Sequence, residues 1–329
     1  MSAIKTLFRI FYAPLFFGGF IAAGVALVAA GEPKLWLIGL LGGAIVASFA
    51  AERIAPFEPV WNRPDGDVGR DVLHALINEG SALAAVLALP LLHSLLPDFG
   101  AWPADWPLVA QLALAILIAD CGITLAHYLS HKWHPLWRLH AVHHSVTRMY
   151  GFNGLLKHPL HQAVELTAGT LPLVLMGLPF ECAALLGFAV AIQLLLQHSN
   201  VDMRVGPLGF LWAVAPGHRH HHLSSAARGD VNFGLFTLIW DHLLGTFVIN
   251  RPAPRAGEIG LDGHPDYPSR YGAQLIEAIR QDELLAELIG EGFADKLRYY
   301  PTVTREPFRN NGRLTDLIQR LRHFAPGQM

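Results

Sequence analysis

Two long apolar runs, from about Ile10 to Ala30 and from about Leu35 to Ala51, open the chain and limit what it can become. A helix rising 1.5 Å per residue needs about 20 apolar residues to cross the hydrocarbon of a bilayer. Lys5 and Arg9 precede the first run, as in a secretory leader. A leader's apolar core, however, is about 7–15 residues and gives way to polar chain. Here a second run follows almost at once, so the first reads as a retained membrane helix. Two more runs cover about Val72 to Leu96 and Trp106 to Ser130. Asn78 and Glu79 interrupt the third and, being costly in lipid, should face protein or water. Trp102 and Trp106 introduce the fourth with residues of interfacial type. Composition agrees: only 15% of residues are charged, against roughly 25% in globular domains. A net charge of −2 gives no grip on nucleic acid. Cys121 and Cys182 lie in apolar stretches and read as small buried hydrophobes rather than a disulfide framework.

Charge orients the spans. Arg53, Arg63 and Arg70 lie between spans two and three, whereas the loop before span four carries Asp98 and Asp105 and no Lys or Arg. By the positive-inside rule the N-terminus and everything after span four are cytoplasmic. Residues 162–197 are apolar again and broken near Gly177–Leu178–Pro179–Phe180, which predicts a helical hairpin embedded in, or crossing, the membrane. The segment DVNFGLFTLIWDHLLGTFV is interrupted by Asp230, Asp241 and His242 and reads as partly buried rather than spanning. Helical spacing of apolar residues recurs over about Gly272 to Leu288 and Asn311 to His323. The expected fold is an all-α polytopic membrane protein: about four transmembrane helices, a membrane-embedded hairpin and a cytoplasmic helical cap. Three regions follow: membrane helices over 1–119, a histidine-rich region over 120–250, and a cytoplasmic C-terminal cap over 251–329.

Of 18 histidines, 13 fall between His127 and His222. A neutral imidazole offers a metal one lone pair, so clusters at helical spacing read first as metal sites. His127 and His131 stand at i and i+4, on one face at the end of span four. Asp120 lies on the same face and is a candidate acceptor for the ring N–H behind one of these ligands. His140, His143 and His144 form an HxxHH triplet whose members should converge, and His218, His221 and His222 repeat it. Eight imidazoles are too many for one tetrahedral zinc, so two metals is the economical count. His198, ending an apolar helix on the same side, is a ninth candidate. His158 and His161 in KHPLH could be outer groups or surface residues. The His220 ring should turn away if its neighbours coordinate. His134 reads as structural in a turn, and His74, His93, His242, His264 and His323 lack cluster partners. Gly42–Gly43 reads as helix packing.

HxxxH, RLHAVHHS and PGHRHHHL, followed by GDVNFG and IWDHLLGT, resemble the fatty acid hydroxylase / sterol desaturase superfamily of integral-membrane di-iron enzymes. The likeness covers about Asp120 to Pro252. It implies that His127, His131, His140, His143, His144, His218, His221 and His222 are metal ligands, and it favours His198 as well. It also implies two iron ions, which zinc can replace in purified protein. Dioxygen would be the co-substrate, and hydrogen would be taken from an unactivated C–H bond to give an alcohol or an alkene. The substrate would be a lipid, such as a sterol or fatty acyl chain, entering from the bilayer. Electrons would come from an external reductase or small carrier, because the chain shows no haem, flavin or iron–sulfur motif. Two other classes use histidine. A membrane zinc hydrolase would usually carry a general base such as the Glu of HExxH, which is absent here. A metal transporter or store would place its ligands at mid-membrane depth.

Overall fold

The structure, a computed structural model, describes residues 3–262, 264 and 266–279. Twelve α-helices form among the described residues, and no strand, only isolated bridges such as Pro56 with Val201. The long helices are α1 (Ala3–Ala29), α2 (Leu35–Ile54), α3 (Val68–Leu87), α5 (Leu108–Ser130), α7 (Pro159–Leu175) and α8 (Phe180–Gln197). The short ones are α4 (Leu89–Leu95), α6 (His134–His144), α9 (Ala215–His221), α10 (Ala226–Gly229), α11 (Ile239–Leu244) and α12 (Tyr271–Ile279).

Among the described residues, α1, α2, α5 and α8 are long and apolar enough to cross a membrane. Three of these are expected spans; the fourth is the second arm of the hairpin. The expected third span is not one helix. It divides into α3 and α4, bent by 51° about Ala88. Pro90 accounts for the break, since its ring opposes the carbonyl four residues back and it has no N–H to continue the ladder. Asn78 faces protein, as expected, and donates to the carbonyls of Leu155 (2.9 Å) and Lys157 (3.0 Å).

Helix α8 is the centre of the bundle. Within the span-length windows it is 72% buried, against 22% for α1, which suits a helix apolar on every side. It packs against α1, α2, α3 and α5, while α7 runs along α5. That last crossing is close because it uses glycine: a Cβ on Gly122 would stand 2.0 Å from the Ala168 carbonyl oxygen. Small residues are what let helix backbones approach in this way. Of the Gly42–Gly43 pair, Gly42 has open space around it, while a Cβ on Gly43 would meet Phe20 of α1 at an ordinary 3.9 Å.

Helices α6, α7 and α9 each have a proline in the first turn, Pro135, Pro159 and Pro216, where its fixed φ favours helix and its missing N–H costs nothing. His134 accordingly opens a helix rather than sitting in a turn. Helix α12 packs on α6 and α3. The predicted helix over Asn311 to His323, and the end of the one over Gly272 to Leu288, lie outside the described residues.

Candidate metal centre

Four elements deliver imidazoles to one end of the bundle. His127 lies in the last turn of α5, and His131 ends that helix. His140, His143 and His144 occupy the last turns of α6, and His198 ends α8. His218 and His221 lie on α9, with His222 at its end. All nine are buried. They assemble as two sets, one of His127, His131, His140, His144 and His221, the other of His143, His198, His218 and His222. Within each set the candidate ligand atoms lie within 4.8 Å of one another.

Each HxxHH triplet is therefore divided, which corrects the expectation that its three rings converge. At about 100° per residue, i and i+4 point roughly 40° apart, whereas i+3 turns some 60° to the other side. His140 and His144 go to the first set and His143 to the second; His218 and His222 go to the second set and His221 to the first.

Proton accounting shows what these sets are built to hold. The Nδ1–H groups of His127, His143 and His221 donate to the backbone carbonyls of Phe233 (2.8 Å), Leu156 (2.9 Å) and Val231 (2.9 Å). His131 donates to the Asp230 carboxylate at 2.9 Å and His198 to Asn153 Oδ1 at 3.1 Å. A carbonyl oxygen only accepts, so Nδ1 carries the proton and Nε2 presents a bare lone pair. Yet His127 Nε2 faces His221 Nε2 at 2.9 Å, and His143 Nε2 faces His198 Nε2 at 3.3 Å. Two lone pairs at that distance repel unless a cation lies between them. A shared proton would make an imidazolium, which burial opposes: it pushes His143 and His221 well below the usual histidine range. Two imidazoles bound about 2.0–2.1 Å from one ion stand roughly 2.9–3.4 Å apart. The residues fit two metal ions held by neutral nitrogen donors.

Asp120 is placed differently from its expected role. Its carboxylate accepts from the backbone N–H groups of Leu235 (3.1 Å), Phe236 (2.7 Å) and Thr237 (3.0 Å). It also accepts from Thr237 Oγ1 (2.7 Å) and Trp240 Nε1 (3.0 Å). Asp120 thus holds the 231–237 loop, not an imidazole. Asp241 grips the same loop through the N–H groups of Phe233 (2.7 Å) and Gly234 (2.8 Å). Burial raises the Asp241 carboxyl to about 6. The carbonyls that orient His127 and His221 belong to this loop, so both carboxylates set ligand direction through one intermediate. Asn232 fixes its left-handed corner (φ 55°), donating to Gly217 O at 2.8 Å and Val248 O at 2.6 Å.

The remaining histidines stay out of both sets. His158 caps α7, accepting from the Leu160 N–H at 3.1 Å. His161 shares a hydrogen bond with Ser130 Oγ (2.8 Å) and lies with its ring centre 4.5 Å from that of His140. His74 joins the Lys157 carbonyl to Gln274. His220 and His134 join neither group. Sequence reasoning read Asp230 and Asp241 only as interruptions of an apolar segment and as part of the family motifs, and gave no role to Asn153, Lys157 or Glu165. The last two form a buried ion pair beside the histidines. They line a cavity of about 10 Å³ together with His127 and His140 of one set and His143 and His218 of the other.

The family model for fatty acid hydroxylase matches residues 112–246. Ornithine lipid hydroxylase OlsE of Rhizobium tropici is 38% identical over 234 residues, covering 67% of this chain and 68% of its own. Alkylglycerol monooxygenase of Danio rerio is 30% identical over 146 residues, 44% of this chain but 31% of the relative. A stretch of 46 residues is 56% identical to the flavodoxin/ferredoxin–NADP reductase of Rhodobacter capsulatus, covering 14% of this chain and 16% of the reductase. No solved structure matches. A relative matched over two thirds of both chains, together with the family model lying across the histidine region, establishes that this chain belongs to the fatty acid hydroxylase family.

Proposed function

We propose that the protein is a membrane-bound di-iron hydroxylase that inserts one oxygen atom of O2 into a C–H bond of a membrane lipid. The observation that carries this reading is the pair of histidine sets, five and four, that lie beside one shared cavity, with Nδ1–H acceptors leaving the Nε2 lone pairs of His127, His131, His143, His198 and His221 bare. Neutral imidazoles suit iron and leave the pair of ions strongly cationic. When bound, the irons would supply the reduction of dioxygen. The balance is O2 + C–H + 2 e⁻ + 2 H⁺ → C–OH + H2O, with electrons from a separate one-electron carrier.

The chain's own part is to fix ligand direction through the 231–237 loop, exclude bulk water and present the lipid. The reductase likeness covers too little of that relative to be a flavin domain, so the donor remains a separate molecule in this reading. The relative named ornithine lipid hydroxylase makes an amino-acid-containing lipid the first substrate class to test, ahead of sterols and simple acyl chains. The charge pattern of the loops supports a cytoplasmic site. The deciding experiment uses detergent-purified, iron-loaded protein given O2, ascorbate and a bacterial lipid extract containing ornithine lipid. Two irons per chain and an O2-dependent gain of one oxygen in a lipid are expected. Zinc that iron cannot replace, with an O2-independent product, would overturn the reading in favour of hydrolysis.

A further inference from the structure

Building on the hydroxylase reading, we propose that Lys157 is a catalytic residue. Its ammonium, anchored by Glu165, donates hydrogen bonds to the oxygen atoms of the reactant in the cavity between the two histidine sets as those atoms gain electrons. A buried ion pair is expensive to keep, because desolvation of both charges offsets most of their attraction. Lys157, just ahead of α7, and Glu165 on it are only 7% and 4% exposed. Their position suggests why they are there. Both line the cavity that touches His127, His140, His143 and His218.

Three features make Lys157 a donor rather than a strut. An ammonium carries three N–H groups, and Glu165 is its one hydrogen-bonded acceptor among the described residues, so two donors remain. The backbone is clamped on the far side, where the Lys157 carbonyl accepts from His74 Nδ1 at 2.9 Å and Asn78 Nδ2 at 3.0 Å. The cavity, at about 10 Å³, has room for roughly one water-sized molecule. It is too small for a lipid head group. Ile123, Leu194 and Phe233 give it apolar walls, where a fixed positive donor acts more strongly than in water. Facing the pair are the Glu79 carboxyl from α3 and the rings of His143, His198 and His161, the last with its Nδ1 3.9 Å from Glu165 and kept neutral by burial. In the reaction as balanced above Lys157 keeps its proton; it holds the oxygen atoms and the growing negative charge.

The test reads anion binding as well as turnover. Protein loaded with cobalt(II) is titrated with azide, a small anion, and followed by its visible spectrum. Wild type should bind azide, and Lys157→Met should weaken binding at least about tenfold with metal content unchanged. With iron and O2, the same variant should consume more O2 per hydroxylated lipid. Because a lone buried Glu165 could disturb folding, Lys157→Met/Glu165→Leu replaces the pair by apolar groups; it should regain wild-type thermal stability and metal content while azide binding stays weak. The proposal is overturned if azide affinity stays within twofold of wild type, or recovers in the double variant. It is equally overturned if Lys157→Met changes only the KM for lipid. Failure of the hydroxylase reading would show elsewhere, as wild-type protein that takes up two metals and no oxygen.

Discussion

At the scale of single residues the centre depends on which nitrogen of each ring carries the proton. His143→Ala and His221→Ala each take one ligand from a different set, so each should lose about one metal equivalent and lipid turnover, as measured by elemental analysis and product assay. His220→Ala and His134→Ala should keep both metals, because neither ring joins a set. Acid should act in the same place. His140, His143, His144, His218, His221 and His222 are held well below the usual histidine range by burial. A group with a lowered folded pKa binds fewer protons folded than unfolded, so its contribution is lost as pH falls below about 6.5. Asp241 works the other way. Raised to about 6, it binds more protons folded, and its cost is relieved as pH falls toward about 4. Six groups outweigh one, so metal-free protein should unfold at lower temperature at pH 5 than at pH 7. An unchanged midpoint would contradict the burial of these rings as neutral species.

At the scale of elements, the 231–237 loop and the α5–α7 crossing decide whether the ligands meet. Asp120→Ala strips four hydrogen bonds from the loop and a fifth from Trp240 of α11. It should cost about 3 kcal/mol or more and slow metal retention, read from thermal melts and chelator competition. Asp120→Asn, which keeps an acceptor, should fall between the two. Gly122→Ala would drive a Cβ against the Ala168 carbonyl and should lower stability by about 1–3 kcal/mol; Gly42→Ala, in open space, should leave the melt unchanged.

How far the sequence reached is clearest here. The i, i+4 spacing of His127 and His131 and the length of α5 were legible, because helical period and hydrocarbon thickness act locally. The bend at Ala88 was missed though Pro90 announces it, since the apolar run continues across it. Asp120 was read against the nearest imidazole on its own helix; its partners come from Leu235 to Trp240, more than a hundred residues on, and no spacing rule reaches that far. Lys157 and Glu165 each look ordinary in sequence, and only the packing of α7 along α5 reveals that they border the histidines.

At the scale of the whole molecule, most of the core serves α8, while α1 to α5 show apolar side chains outward, among them Leu15, Val46, Leu76, Leu87 and Leu95. Such a surface needs lipid or detergent. The protein should stay with the membrane fraction through an alkaline carbonate wash and be released by detergent. Chelation of both metals should lower the melting temperature, since ions bound only by the native state stabilise it. It should also loosen the meeting of α5, α6, α8 and α9, detectable as faster amide exchange at that end of the bundle.

The division of each HxxHH triplet has a consequence for how such a centre can change. Helices α6 and α9 behave like two meshed gears, each with teeth in both histidine sets. Inserting one residue within either triplet would rotate the following rings by about 100° and unseat ligands on both ions at once. Neither site can be lost, retuned or duplicated by shifting a helix without the other. If each set holds an ion, as proposed, the two ions stand or fall together when either helix shifts.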